Sequence, residues 1–510
     1  MNAAVDAFGL IGPHGSGAPH QGASQGRRLG FWRPTAAGPN SVVASSAPQL
    51  VTRSRDLARN NPHAKRALSL IGTHTVGTGM KPRSVCPNKA VRDALHQLWA
   101  DWTKQADADG VLDFYGMQAL AVREMAEGGE AFARLRTRKL SDGLAVPLQV
   151  QLIPVEQVPL WYTNTSPAGN RIVQGIERNA IGQRVAYWMH RQNPNDVIQS
   201  IDTDAWEISA VPAADVCHLY NVTRIGQLRG LPWLAQAITT LQQIGQYNDA
   251  ELVRKQTVAM MVAFVTKAGA GVDPDELAEA YGRVHTNTDD LPAAAMEPGT
   301  VQYLDLGEDV KFNQPGEVGG SYEAFLRANY QAVAAAADLI YQELTGDWKD
   351  MNDRTFRASF NTFKRTVRQW QFNLLAFQFS QPIWDRFVNY AVASGALKVP
   401  KRLSDADLMR VEWVPERFDY INPVQDVQAL REEIDAGFTS RAAVVASRGD
   451  DVEEVDRQIA ADQKRERELG IVINSDMPRP PPGVAPKGDQ ADPEEPAQLG
   501  PDIAVDPKDK

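Results

Sequence analysis

Between residues 54 and 105 the apolar residues recur at steps of three and four. In "SRDLARNNPHAKRALSLIGTHTVGTG" (54–79), Ala64, Ala67, Leu68 and Ile71 fall on one stripe, with Gly72 and Gly77 as possible stops. "NKAVRDALHQLWADWTKQ" repeats the pattern through Val91, Leu95, Leu98 and Trp102, and "DFYGMQALAVREMAEGGEAFARL" gives a third helix that runs at Gly128-Gly129 into a strand. The period then shifts to two. "PLQVQLIPVEQVP", "RIVQGIERNAIGQRVAYWMHR" and "DVCHLY" alternate apolar and polar residues between turn residues, the pattern of a mostly antiparallel sheet. Residues 50–228 therefore read as an α+β domain.

After "GQLRGLPW" the helical period returns, and Pro232 can occupy a helix's first turn. Within residues 232–266 the pattern predicts a single helix of about thirty residues, roughly 45 Å long at 1.5 Å per residue. "DPDELAEAYGRV" reads as a short helix, "GTVQYLDLGEDVKFNQP" as a hairpin-like pair, and residues 321–344 as another helix. A rod then spans 355–394. Phe356, Phe360, Phe363, Val367, Trp370, Leu374 and Phe377 follow alternating steps of four and three, continued by Trp384, Val388 and Ala391. This spacing predicts one continuous seam against neighbouring helices, with a kink or break at Pro382. A strand-like "MRVEWVP" and three short amphipathic helices follow, separated at Gly437 and Gly449. Residues 1–50, rich in Gly, Ala, Ser and Pro, and the proline-rich tail from 474 lack the apolar content for a core and are expected to be disordered.

Composition narrows the class. The chain has 510 residues, 43% hydrophobic and 23% charged, as in an ordinary soluble globular protein. It contains no apolar run near the ~18 residues needed to span a bilayer, and its start does not read as a secretory signal. A cytoplasmic setting is expected. The net charge of -10 argues against a protein that grips nucleic acid over its whole surface. The charge is also unevenly spread. Residues 1–60 carry six arginines against Asp6 and Asp56, whereas residues 273–312 carry ten acids, among them Asp273, Asp275, Glu276, Glu279, Asp289 and Asp290, against Arg283 and Lys311.

Motifs for chemistry are sparse. "GTHTVGT" (72–78) has phosphate-loop spacing, but Thr78 stands where the lysine belongs. Cys86 and Cys217 form no C-x-x-C pair and read as buried small hydrophobes. His63, His74 and His96 lack ligand spacing. Glu124, Glu127 and Glu130 recur at three-residue steps and could approach a metal, but carry no histidine partner in the pattern. No nucleophile elbow appears. The absence of a catalytic constellation favours a structural or conduit role that needs no cofactor. The connector "ELTGDWKDMNDRTFRASF" (343–360) is more polar than a turn between packed helices requires and exposes Trp348 among charges.

The order of these elements, and four long strings, resemble the portal proteins of tailed bacteriophages, particularly the lambda-type family. The strings are "SRDLARNNPHAKRALSLIGTHTVGTG" (54–79), "GQLRGLPWLAQAITTLQQIGQYNDAELVRKQ" (226–256), "GEDVKFNQPGEVGGSYEAFLRANYQAVAAA" (307–336) and "NPVQDVQALREEIDAGFTSRAAVVASRGDDVEEV" (422–455). The connector departs from the family, which often has a Tyr/Ser-rich stretch there.

The resemblance implies a predominantly helical α+β portal fold with wing, stem, clip and crown, assembled as a cyclic, twelve-subunit ring at one capsid vertex. Double-stranded DNA would pass through the ring without its sequence being read. Residues 51–228 and 355–399 would form the wing, 229–266 and 321–344 the stem helices, 267–320 the clip and 400–473 the crown. The connector 345–354, with Asp347, Trp348, Lys349, Asp350, Met351, Asn352, Asp353 and Arg354, would be the tunnel loop lining the channel. The acids Asp273, Asp275, Glu276, Glu279, Asp289 and Asp290 of the clip would meet partners. The implied partners are further copies of the chain, the terminase large subunit, a head–tail adaptor or completion protein and the major capsid or scaffolding protein, in the host cytoplasm during assembly and then in the virion, with no membrane. Two other readings stay open: a metal-dependent nucleic-acid-processing enzyme using Glu124, Glu127, Asp305 and Glu308, and a helical scaffold that never touches DNA.

Overall fold

A computed structural model describes residues 31–196, 206–259, 263–266, 301–304, 322–349, 351–416, 418, 423–448 and 452–470. The chain divides into two units, 1–449 and 450–510.

Two helices open the first unit, α1 (Pro39–Asn60) and α2 (Pro62–Val76). Asn61 separates them and caps α2, its side-chain oxygen accepting from the N–H groups of His63 and Ala64. α1 begins inside the arm expected to be disordered through residue 50, because Val43, Ala47 and Val51 give it a buried face. α3 (Lys89–Thr103) and α4 (Phe114–Gly128) follow, capped by Asn88 and Asp113. Gly129, at φ 94°, turns the chain from α4 into β2 (Glu130–Thr137).

β2 lies at the centre of a three-stranded antiparallel sheet with β3 (Leu148–Ile153) and β9 (Val216–Tyr220). Beside it, β4 (Asn164–Thr165), β5 (Arg171–Val173), β6 (Ile176–Arg178), β7 (Arg184–His190) and β8 (Ile208–Pro212) form an antiparallel meander in chain order. Phe132 and Val216 from the first sheet pack with Ile176, Tyr187, Met189 and Val211 from the second in a small core of their own. The antiparallel expectation for 148–220 matches this arrangement. A short pair, β1 (Lys81–Ser84) with β12 (Val411–Val414), closes the other side.

The helix expected over 232–266 is shorter. α5 runs from Ile238 to Ala259, turns occupy 233–237, and β10 (Ala263–Thr266) takes the end as a strand. β10 pairs in parallel with β11 (Val301–Leu304), the first half of the expected hairpin-like pair, whose sequel from Asp305 lies outside the described residues. The β-branched and aromatic content of "AFVT" and "VQYL" suits strands better than it suits helix ends. The remaining clip residues, including Asp273, Asp275, Glu276, Glu279, Asp289 and Asp290, lie outside the described residues, as do Asp305 and Glu308.

The expected 321–344 helix is two, α6 (Tyr322–Ala336) and α7 (Tyr341–Thr345), broken where Asp338 takes a left-handed φ of 54°. The rod is α8 (Asp353–Gln369), a π-helical stretch Trp370–Ser380, and α9 (Gln381–Ala393). The irregularity sits immediately before Pro382, which has no N–H and crowds the carbonyl four residues back. It also moves the seam. Phe360, Phe363, Val367, Trp370 and Leu374 are buried, but Phe377 is 74% exposed and Phe379 is buried in its place. Wider turns carry the apolar face around by two residues, from Phe377 to Phe379, and Trp384, Val388 and Ala391 rejoin it. There Trp384 and Phe387 pack with Trp99, Trp102 and Phe114 in the main core. The displaced turn is used: Gln378 Oε1 accepts from Tyr220 N at 2.9 Å, and Gln371 Nε2 donates to His74 O at 3.3 Å.

α10 (Asp405–Met409), α11 (Pro423–Asp435) and α12 (Arg441–Ser447) complete this unit. The second unit is described as one helix, α13 (Val452–Leu469), with no buried residue. Among the described residues no helix is long and apolar enough to cross a membrane.

Candidate functional site

The connector between α7 and α8 is a built turn. Gly346, at φ 73°, ends α7 with its N–H on Gln342 O at 2.8 Å. Asp347 then organises the segment. Its Oδ2 accepts from Tyr341 Oη at 2.9 Å, its Oδ1 from Lys349 N at 3.1 Å, and its own N–H donates to Thr345 Oγ1 at 3.2 Å. The Tyr341 bond, followed by the Lys349 N–H, holds the Asp347 carboxyl below the usual aspartate range. At the other end Asn352 and Thr355 form a reciprocal capping box: Asn352 Oδ1 accepts from Thr355 N at 2.9 Å, and Asn352 N donates to Thr355 Oγ1 at 3.3 Å.

What the turn presents outward is specific. Trp348 is 50% exposed, with one edge against Phe356 at 5.5 Å between ring centroids. Lys349 reaches across to Glu323 of α6 at 3.2 Å, an exposed pair that adds little stability but sets the lysine's direction. Asp353, at the start of α8, pairs with Arg357 at 3.2 Å, and Arg354 is exposed. Met351 is half-buried, its N–H on Trp348 O at 3.3 Å. Asp350 lies outside the described residues. The polar connector is therefore pinned at both ends, and Asp347 is used within the turn.

α2 holds the entry to this turn. His74 Nε2 meets Glu343 Oε2 at 2.8 Å, and Arg66 Nε donates to Glu343 O at 3.2 Å. The His63 ring packs on Tyr330 at 4.0 Å. These histidines thus have structural partners, and His96 Nε2 likewise accepts from Ser84 N at 2.9 Å. "GTHTVGT" lies mostly within α2, so its N–H groups are committed to helix bonds.

The three glutamates are split between two clusters. Arg55 of α1 binds Glu124 and Glu156, both at 2.6 Å, and Glu127 at 3.3 Å. Arg123 adds a second, looser pair to Glu127 at 3.7 Å, and Glu124 is pushed up by burial despite Arg55. Glu130 sits elsewhere, fully enclosed with Arg229, whose Nε lies 2.7 and 2.9 Å from its two oxygens. Gly230 N donates to Glu130 Oε2 at 3.0 Å, and His218 Nε2 lies 2.9 Å from the same atom. Arg184 Nη1 is 2.7 Å from His218 Nδ1. An arginine only donates, so Nδ1 is the acceptor and the neutral ring donates from Nε2 to Glu130. Burial would raise the Glu130 carboxyl, but the Arg229 charge and the His218 bond hold it at about 2. Burial, with the nearby arginines, lowers His218 to about 4.

Arg229 also donates to Gln174 O at 2.6 Å and Val158 O at 3.0 Å. The cluster locks "RGLPW", the root of α5, into both sheets. The close approach explains the glycines: a Cβ on Gly230 would lie 2.0 Å from Gly129 O, and one on Gly129 2.6 Å from the Leu231 carbonyl carbon. Sequence reasoning missed this anchor. Its only signal was Arg229 between an apolar residue and Gly-Leu-Pro. Cys86 and Cys217 are buried and unpaired, as expected. Among the described residues no three His, Cys, Asp or Glu side chains converge as a metal site.

The chain is 24% identical over 470 residues to the probable portal protein of Halomonas phage phiHAP-1, covering 88% of this chain and 87% of that one. It is 20% identical over 511 residues to portal protein B of Escherichia phage lambda, covering 91% and 93%. Among solved structures, the neck of a native GTA particle computed with C12 symmetry has a TM-score of 0.42 at 13% identity, covering 81% of this chain and 99% of that one. An HK97 family phage portal protein from Corynebacterium diphtheriae has 0.29 at 14%, covering 62% and 85%. Residues 25–371 match the family model for phage portal proteins of the lambda family, and the chain belongs to that family.

Proposed function

We propose that this portal protein is one subunit of a closed ring, twelvefold by the family resemblance, that forms a channel for double-stranded DNA at one capsid vertex. DNA would enter through it during packaging by the terminase and leave through it later, and the ring would carry the head–tail adaptor and seat in the capsid shell. In this reading residues 51–228 and 355–399 serve as wing, the segments around α5 and α6 as stem, 267–320 as clip with its acids turned to partners, and 400–473 as crown. The role is structural rather than enzymatic. The protein would assemble in the host cytoplasm and remain in the virion.

The observation that carries the reading is the connector. A turn capped at both ends, with an exposed tryptophan and Lys349 and Arg354 on the outside, can touch a duplex repeatedly around a ring. Contacts of that kind position DNA through its phosphates and carry no direct sequence information. Asp353, and Asp347 within the turn, offset the two cations and keep the grip weak, which suits a moving duplex. Reversing Lys349 and Arg354 to glutamate tests the assignment. Ring assembly should persist while packaged DNA falls sharply; loss of the ring, or normal packaging, would contradict it.

A further inference from the structure

Three features of the sheet region converge on one cavity of about 630 Å³ between α1 and the β5–β6 hairpin. The first is a like-charge pair: Arg171 and Arg178, directly opposite across β5 and β6, both line it. Directly opposed like charges destabilise a strand pair unless a counter-ion sits between them. Arg178 is held in place by its Nε bond to Gly182 O at 2.9 Å, and Arg171 is exposed.

The second is the start of α1. This 22-residue helix has glycine at its N-cap, no side-chain cap and no acid in its first turn, and its first-turn residues Asn40 and Ser41 line the same cavity. Its positive end is therefore uncompensated there.

The third is Gln174, in the two-residue turn of the hairpin. Gln174 and Gly175 both have positive φ, 54° and 77°, as a type I′ turn requires. Glutamine is not the residue that turn favours, so the position carries strain. Its Nε2 donates to Asn40 O at 2.7 Å, yet its Oε1 has no hydrogen-bond partner although the residue is 3% exposed and lines the cavity. An unpaired buried acceptor of this kind is destabilising, and a donor that reached it would relieve that. Leu160 and the 71%-exposed Trp161 give the cavity an apolar wall.

We propose that this cavity binds an extended acidic peptide segment of a partner protein, with a carboxylate between Arg171 and Arg178 at the α1 N-terminus, a main-chain N–H directed at Gln174 Oε1, and an apolar side chain against Trp161. A peptide supplies an anion and an N–H donor in one strand. Along a duplex the exposed backbone offers phosphates with no N–H beside them, the base donors lying paired and recessed in the grooves, which is why a peptide is preferred to duplex DNA.

The test uses the full chain and a fluorescein-labelled synthetic peptide of alternating Asp and Leu, followed by anisotropy. Saturable binding is expected, weakened about tenfold or more by changing every Asp of the peptide to Asn, and by the Arg171→Gln/Arg178→Gln variant. That variant should fold and melt at or above the wild-type temperature, because it removes the opposed charges. Binding of the acidic peptide should alter the fluorescence assigned to Trp161 by comparison with Trp161→Phe. No binding of the acidic peptide, equal binding of the Asn peptide, undiminished binding by the double variant, or displacement of the peptide by a short DNA duplex at equal concentration would each overturn the proposal.

Discussion

Removing the Arg229 guanidinium, as in Arg229→Ala, strands the Glu130 carboxylate inside the protein. Glu130 is 1% exposed and takes hydrogen bonds from Arg229, Gly230 N and the neutral His218. Its carboxyl stands at about 2, against 4.5 for an unperturbed glutamate. That difference, at 1.36 kcal/mol per unit, gives about 3 kcal/mol of stability, in line with the ~3–5 kcal/mol lost when one partner of a buried pair is removed. The sign follows from the depressed value. The Glu130 contribution is complete above pH 4.5 and is lost as pH falls from 4.5 towards 2. His218, lowered from 6.5 to about 4, acts in the same direction, its contribution complete above pH 6.5 and lost as pH falls towards 4. In Arg229→Ala the remaining burial pushes the Glu130 carboxyl upward, so acid relieves the variant by protonating it. Urea denaturation at pH 7.5 and pH 4.5, followed by circular dichroism, should therefore show a deficit of about 3–5 kcal/mol at the higher pH that shrinks at the lower. A deficit under about 1 kcal/mol, of the size expected for a surface pair, or one that does not change with pH, would refute the buried-pair argument.

Gly230→Ala should cost at least as much as a large core truncation, since its Cβ would fall on the Gly129 carbonyl oxygen; soluble yield and melting temperature report it. Phe379→Ala should cost about 3–5 kcal/mol, while Phe377→Ser changes the monomer's stability by no more than ~0.5 kcal/mol; the unbroken heptad seam predicts the reverse order. Asn352→Ala should cost about 1 kcal/mol through its lost cap and speed hydrogen exchange in the first turn of α8 without altering α9.

Much of the fold was legible in the residues. The helical stripes through Ala64–Ile71 and Val91–Trp102 correspond to α2 and α3, and the alternation over 148–220 to antiparallel strands. Each is a local signal, fixed by the period of one element. What escaped was set by distant partners. α1 extends back to Pro39 because its apolar face is buried by the rest of the unit, although its sequence resembles a linker. The seam slips at Phe377 because Pro382 forces wide turns that no period can show. Glu130 read as the third of a carboxylate row, yet the turn at Gly129 carries it off the helix and into a strand, facing Arg229. The connector's polarity was visible, but its caps, which depend on Asp347 meeting Tyr341 and Asn352 meeting Thr355, were not.

Single-particle imaging of the purified full-length chain tests the central claim most directly. The account predicts closed rings with a central opening wide enough for duplex DNA and the Asp347–Arg354 turn on its inner wall. Discrete monomers or dimers at working concentration, or rings with that turn on the outer surface, would contradict it.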